Sequence, residues 1–217
     1  MEKHTTPLEF WNQIWEEGII RFHQPHYNPL MTMFFKDINL QNKTVLIPLA
    51  GKSKDILYFL EKGAVVTAIE FVESAVIDFF NENNMPFEKN GNIYSGKNLT
   101  FIAGDFFNFT TMKPFDVLYD RAAQVVFTPT QRPEYYKHLA KLIDPHTLLF
   151  LFSVDHKGSP DYGPPHKISK EEIISFYKKL GFTLNLISEK KEVGSEKMQA
   201  QGIAEINSFI LSTLSSQ

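Results

Sequence analysis

From Thr44 onward the chain alternates short, apolar, β-branched runs with segments of helical periodicity, and this alternation limits the fold more than any other feature. TVLIP, starting at Thr44, suits a strand buried on both faces. VVTAIEF from Val65, LTFIAGDFF from Leu99 and PFDVLYDRA from Pro114 read as the second, third and fourth strands. Further strands are expected over 147–154 and 182–189, and a long alternating run begins at Gly202. Helical spacing covers 54–62, 73–83, 132–142 and 170–180, with Gly63 placed to end the first of these. Strands and helices in turn predict an α/β fold on a largely parallel sheet. The last two strands, joined without an obvious helix, predict an antiparallel hairpin at its edge. The polar segment 85–98, rich in Asn and Gly, reads as a surface insertion.

At 217 residues the chain suits one domain, 1–217, with a distinct segment over 1–40 and a core over 41–217. Lys and Arg number 22 against 25 Asp and Glu, a formal charge of −3 without long runs of either sign. Neither nucleic acid nor an anionic membrane is implied as a partner. No apolar window approaches a membrane span or a signal-peptide core, so a soluble, cytoplasmic protein is expected. The absence of cysteine excludes disulfides, thiolate zinc sites and a cysteine nucleophile. His23 with His26, and His156 with His166, lack acidic partners at ligand spacing, so no metal is expected.

Leu8, Trp11, Ile14, Trp15 and Ile19 fall at helical intervals and predict an amphipathic N-terminal helix ending near Gly18. A loop rich in His, Pro and aromatics, IRFHQPHYNP, follows.

In parallel α/β sheets the ligand lies beyond the carboxyl ends of the strands. The stretch VLIPLAGKSKD places Gly51, Lys52 and Ser53 there, as a phosphate loop would. The position five before Gly51 is Leu46, so GxxxxGK[ST] fails. A dinucleotide fingerprint fails as well, because Gly51 stands without the other glycines that admit a pyrophosphate. Yet Glu70 follows 19 residues later at the end of the second strand, where an acid accepts hydrogen bonds from ribose hydroxyls. Asp105 ends the third strand, placed to meet an adenine amino group, with Phe106 against the ring. The pattern fits a nucleoside held without a pyrophosphate, of which S-adenosylmethionine is the common case.

FWNQIWEEGIIRFHQ, IPLAGKSKD, AIEF, YDRAA, TPTQRPEYY and GPPHKIS occur in an order and at intervals that resemble the thiopurine S-methyltransferase family. The resemblance implies a Rossmann-like class I methyltransferase sandwich of three layers. Its sheet is mostly parallel and seven-stranded, with an antiparallel edge hairpin and an N-terminal lid helix. S-adenosyl-L-methionine is the implied cofactor and a small-molecule methyl acceptor the implied partner, in a monomer. Cofactor positions carry over onto Trp11, Leu49, Gly51, Glu70, Asp105, Phe106 and Arg121. Phe22, Pro164, Pro165 and Lys197 fall where the family binds its acceptor, and Arg121 is the implied catalytic residue. Trp11 and Phe22 would then close over the cofactor, with His23 shaping that loop. Ala50 departs from the family's usual cysteine. An NAD-dependent oxidoreductase of related fold and a non-catalytic nucleoside-cofactor-binding protein are the alternative readings.

Overall fold

The alternation expected from Thr44 onward is realised in the computed structural model, which describes residues 8–18, 20, 23–159 and 162–214. The chain divides into two compact units, one over Pro7–Phe109 and one containing Thr110–Gln217. Nine strands occur among the described residues, two more than the seven expected.

In the first unit, helices α1 (Leu8–Glu16) and α2 (Pro29–Phe35) precede β1 (Thr44–Ile47), α3 (Asp55–Glu61), β2 (Val65–Glu70) and α4 (Glu73–Glu82). Then come β3 (Glu88–Asn90), β4 (Ile93–Gly96), β5 (Leu99–Ala103) and a 3-10 turn, Phe106–Asn108. The strand order is β3-β4-β5-β2-β1, with β5, β2 and β1 parallel. Ile47 pairs with Ala68, and Glu70 with Ala103, so the carboxyl ends of these strands stand at one edge. The added strands β3 and β4 come from the segment expected as an insertion. They form a hairpin turning at Gly91 (φ +60°), and β4 runs antiparallel on β5. Tyr94 anchors it, 1% exposed, with ring centroids 6.3 Å from Phe80 and 5.4 Å from Phe87. Phe79 and Phe80 of α4, both fully buried, meet Phe101 of β5 edge-on or tilted. Each such ring contributes about 1.5–3 kcal/mol through burial.

α3 ends as expected, with Gly63 at φ +78° and its N–H donating to the Leu60 carbonyl. Its start differs from the usual cap, because Lys54 holds the cap position and the Ser53 hydroxyl accepts from the Asp55 N–H at 3.2 Å. Asp55 is fully buried and accepts the N–H of Asn28 at 2.7 Å, tying α3 to the start of α2.

The second unit contains β6 (Val117–Arg121), a 3-10 turn (Ala123–Val126), α5 (Arg132–Leu139), β7 (Leu148–His156) and α6 (Lys170–Lys179). It continues through β8 (Asn185–Val193), α7 (Glu196–Ala200) and β9 (Glu205–Ser212), in strand order β6-β7-β9-β8. β9 is antiparallel to both neighbours, as the edge hairpin predicts. The expectation of a direct connection between the last two strands is corrected by α7, a five-residue helix. Ser195 caps it, accepting from the Met198 N–H, and five residues give too little periodicity to stand out in the sequence.

Candidate active site

In the first unit the predicted cofactor residues gather where β1, β2 and β5 end. After β1 the backbone turns through Leu49 (φ +48°) and Gly51 (φ +55°), and Ala50 donates its N–H to the Ile69 carbonyl at 2.9 Å. Gly51 then donates to Glu70 Oε2 at 2.7 Å, while Val72 donates to Oε1 at 3.0 Å. Both carboxylate oxygens are thus fixed by backbone, and Glu70 is only 8% exposed. Burial pushes its pKa up, and the N–H groups of Val72, Gly51 and Phe71 pull against that shift. A carboxylate offers about four lone-pair directions, so two backbone donors leave capacity for a vicinal diol. The donor set therefore fits the nucleoside of S-adenosylmethionine.

The Glu70 carbonyl accepts the N–H of Gly104 at 2.7 Å, which binds the end of β5 to the same edge. Asp105 follows, with Oδ1 accepting from the Phe107 N–H at 3.0 Å, so this acid caps the 3-10 turn. Phe106 is buried at 3% exposure. Trp11 is half-buried on α1, edge-on to Phe10 at 5.3 Å. Trp15, one turn further on, packs against the glycine loop: a Cβ at Gly51 would lie 3.4 Å from its ring. Periodicity marks Trp15 only as part of an apolar stripe, and its contact with Gly51 became visible only in three dimensions. Phe22 lies outside the described residues.

The second unit holds the remaining predicted residues. Arg121, half-buried, ends β6, and its register partner is Phe152 of β7. Beneath it, Asp120 is fully buried, with Oδ1 accepting from Ala123 at 2.9 Å and Oδ2 from the Tyr135 hydroxyl at 2.9 Å. Burial pushes the Asp120 carboxyl up to about 6, against the pull of Tyr135 and the N–H groups of Ala123 and Gln124. The intervening Ala122 sits at φ +61°, a conformation an alanine holds only under such constraint. Asp120 therefore shapes the turn that carries Arg121.

Pro164 and Pro165 lie beyond β7. The Pro165 carbonyl stands 3.0 Å from His156 Nε2, and Gly158 donates its N–H to His156 Nδ1 at 3.1 Å. Both His156 nitrogens are thereby engaged inside the protein. The next residue, His166, donates its N–H to the Val125 carbonyl at 2.7 Å, joining this segment to the turn after Arg121. Arg132, fully buried, reinforces that junction by bonding the carbonyls of Gln124, Phe127 and Lys167 and the Glu172 carboxylate. Lys197 is exposed on α7. Among the described residues, no group of three or more His, Asp or Glu is placed to hold a metal. No described helix is long and apolar enough to cross a membrane.

Solved structures of like fold include S-adenosylmethionine methyltransferases. The 1,6-didemethyltoxoflavin-N1-methyltransferase of Burkholderia thailandensis, crystallised with S-adenosylhomocysteine, aligns with a TM-score of 0.63 at 16% identity, over 94% of this chain and 86% of its own. An arsenic(III) S-adenosylmethionine methyltransferase of Chlamydomonas reinhardtii aligns at 0.57 and 15% identity, over 82% of this chain and 65% of its own. The fold is that of the class I methyltransferases.

Sequence narrows the class. A family profile for thiopurine S-methyltransferase (TPMT) matches residues 6–212, and the chain belongs to that family. Thiopurine S-methyltransferase of Legionella pneumophila (strain Paris) is 32% identical over 209 residues, 93% of this chain and 95% of that relative. The same enzyme of Psychrobacter cryohalolentis is 35% identical over 184 residues, 78% of this chain and 83% of its own length. The protein is an S-adenosylmethionine-dependent methyltransferase. Nothing in these relatives supports the NAD-dependent alternative.

Proposed function

We propose that the enzyme moves a methyl group to a small soft nucleophile, an aromatic thiol of thiopurine type or a selenium or tellurium compound. The observation that carries the donor half of this reading is the Glu70 carboxylate, fixed by Gly51 and Val72 at the strand edge that also bears Asp105. The acceptor class is supported by the name its relatives share, thiopurine S-methyltransferase. A family match running from residue 6 to residue 212 supports reading 1–217 as one methyltransferase domain.

When bound, S-adenosylmethionine supplies a methyl carried on a sulfonium. Glu70 would hold the ribose hydroxyls, Asp105 the adenine amino group and Phe106 its ring. Leu49, through its backbone, and Gly51 would hold the methionine part, and Trp11 would cover it from α1. Pro164, Pro165 and Lys197, with Phe22 by the family resemblance, are the residues we assign to acceptor binding. In-line transfer to sulfur depends on alignment more than on acid or base, and near-attack geometry can supply roughly 7–11 kcal/mol. An aromatic thiol arrives largely ionised. Arg121 steers that anion and takes no proton from it, since an arginine guanidinium stays protonated in proteins. Ala50, buried at 8% exposure, keeps its backbone bond to Ile69, so the family's cysteine is not needed for the turn.

The test is a panel of thiopurines, aliphatic thiols, selenite and tellurite with radiolabelled S-adenosylmethionine. Label on an aromatic thiol or on a selenium or tellurium product supports the proposal. Binding of S-adenosylhomocysteine with no label on any member of the panel would overturn it.

A further inference from the structure

The lysine of the GKS stretch stands outside a phosphate-loop motif, yet its side chain is only 10% exposed. Its ammonium lies 2.6 Å from Glu82 Oε1 and 3.5 Å from Asp78 Oδ2, two acids one turn apart on α4. The same ammonium sits 5.9 Å from the centroid of the Trp15 ring on α1. That ring lies over Gly51, whose N–H holds Glu70. A single cation therefore joins α4, the glycine turn and the N-terminal helix. Exposed ion pairs are worth little by themselves, so the two carboxylates are better understood as orienting the ammonium toward the ring than as a source of stability. A cation over an indole face is attracted by the ring quadrupole, the more so when water is excluded.

We propose that Lys52 is a positioning residue for the cofactor lid: fixed by Asp78 and Glu82, it holds Trp15 against the Gly51 turn and so slows departure of the cofactor. The inference rests on the reading above, in which α1 covers the bound cofactor. Lys52 touches no reacting atom and acts through Trp15.

The test compares full-length wild type with Lys52→Met, which keeps the apolar stem, and Lys52→Arg, which keeps a cation able to stack. Two rates are read: chymotryptic cleavage at Phe10, Trp11 and Trp15 without cofactor, and release of S-adenosylhomocysteine by stopped-flow tryptophan fluorescence. Lys52→Met should be cut and should release ligand faster by about 2- to 30-fold, the range spanned by exposed and desolvated cation–π contacts. Lys52→Arg should restore both rates to within about twofold of wild type. An Asp78→Asn/Glu82→Gln variant, which leaves the loop intact, should move both rates in the same direction as Lys52→Met. Wild-type rates in Lys52→Met would overturn the proposal, and so would an arginine variant as fast as the methionine one. If wild type fails to bind S-adenosylhomocysteine, the cofactor reading falls, and the cleavage rates still decide whether Lys52 holds α1.

Discussion

Replacing Glu70 with glutamine keeps the shape of the side chain and removes one acceptor. In the native turn each carboxylate oxygen receives one backbone N–H, from Gly51 at 2.7 Å and from Val72 at 3.0 Å. A glutamine amide has one oxygen, so in either orientation its NH₂ faces one of these donors. A buried donor left without an acceptor costs about 1–3 kcal/mol. Relief of a charge that burial disfavours offsets part of that cost. For a chain of this size 1 kcal/mol corresponds to about 2–4 °C, so calorimetry should show Tm falling by about 2–6 °C. Binding should suffer more, because a charge-assisted hydrogen bond to a ribose hydroxyl is worth about 1.5–3 kcal/mol. Its loss weakens Kd for S-adenosylhomocysteine by about 10- to 150-fold, measurable by titration calorimetry. A lower Tm with unchanged affinity would refute the ribose assignment and leave Glu70 as a loop anchor. If neither changes, the hydrogen bonds from Gly51 and Val72 to Glu70 do not hold the turn.

Arg121→Ala should lower kcat/KM for an anionic aromatic thiol by at least about tenfold with little change in S-adenosylhomocysteine affinity, and an unchanged rate would remove Arg121 from the reaction. Asp120 carries a raised folded-state value, so its proton is held more tightly in the folded protein and stability falls as pH rises from about 4 to about 6. The predicted loss is about 3 kcal/mol, absent in Asp120→Asn, and urea unfolding of both proteins at pH 4 and pH 7 checks the difference. Gly51→Ala places a methyl 3.4 Å from the Trp15 ring at φ +55°, and should cost about 1–2 kcal/mol in stability by urea unfolding.

Strand ends were the most legible part of the sequence. Gly51, Glu70 and Asp105 could be read as a site because parallel strands bring their carboxyl ends to one edge whatever the loops do. What escaped the sequence depended on partners far along the chain. Asp55 looks like a first-turn acid suited to the helix dipole, but its Oδ1 accepts the N–H of Asn28, the cap of another helix. Segment 85–98 reads as an insertion because its β3 residues are all exposed, and the buried face of the hairpin reduces to Tyr94. Gly91-Asn92, the two residues between the paired Asn90 and Ile93, is the hairpin signal the sequence offers, outweighed by the polar composition around it. Trp11 and Trp15 share one helical stripe, and periodicity cannot tell which ring lies on the glycine turn. Nor does a sequence reveal that Lys52, in a stretch suggestive of a phosphate loop, faces two acids and an indole.

The reaction proposed is methyl transfer to a soft acceptor from a cofactor bound at Glu70. Purified enzyme incubated with methyl-labelled S-adenosylmethionine and an aromatic thiol, followed by quantification of labelled thioether in wild type and Glu70→Gln, tests it most directly. Wild type should place label on sulfur, and at subsaturating cofactor the variant should lose at least about tenfold. Equal labelling by the two proteins would contradict it.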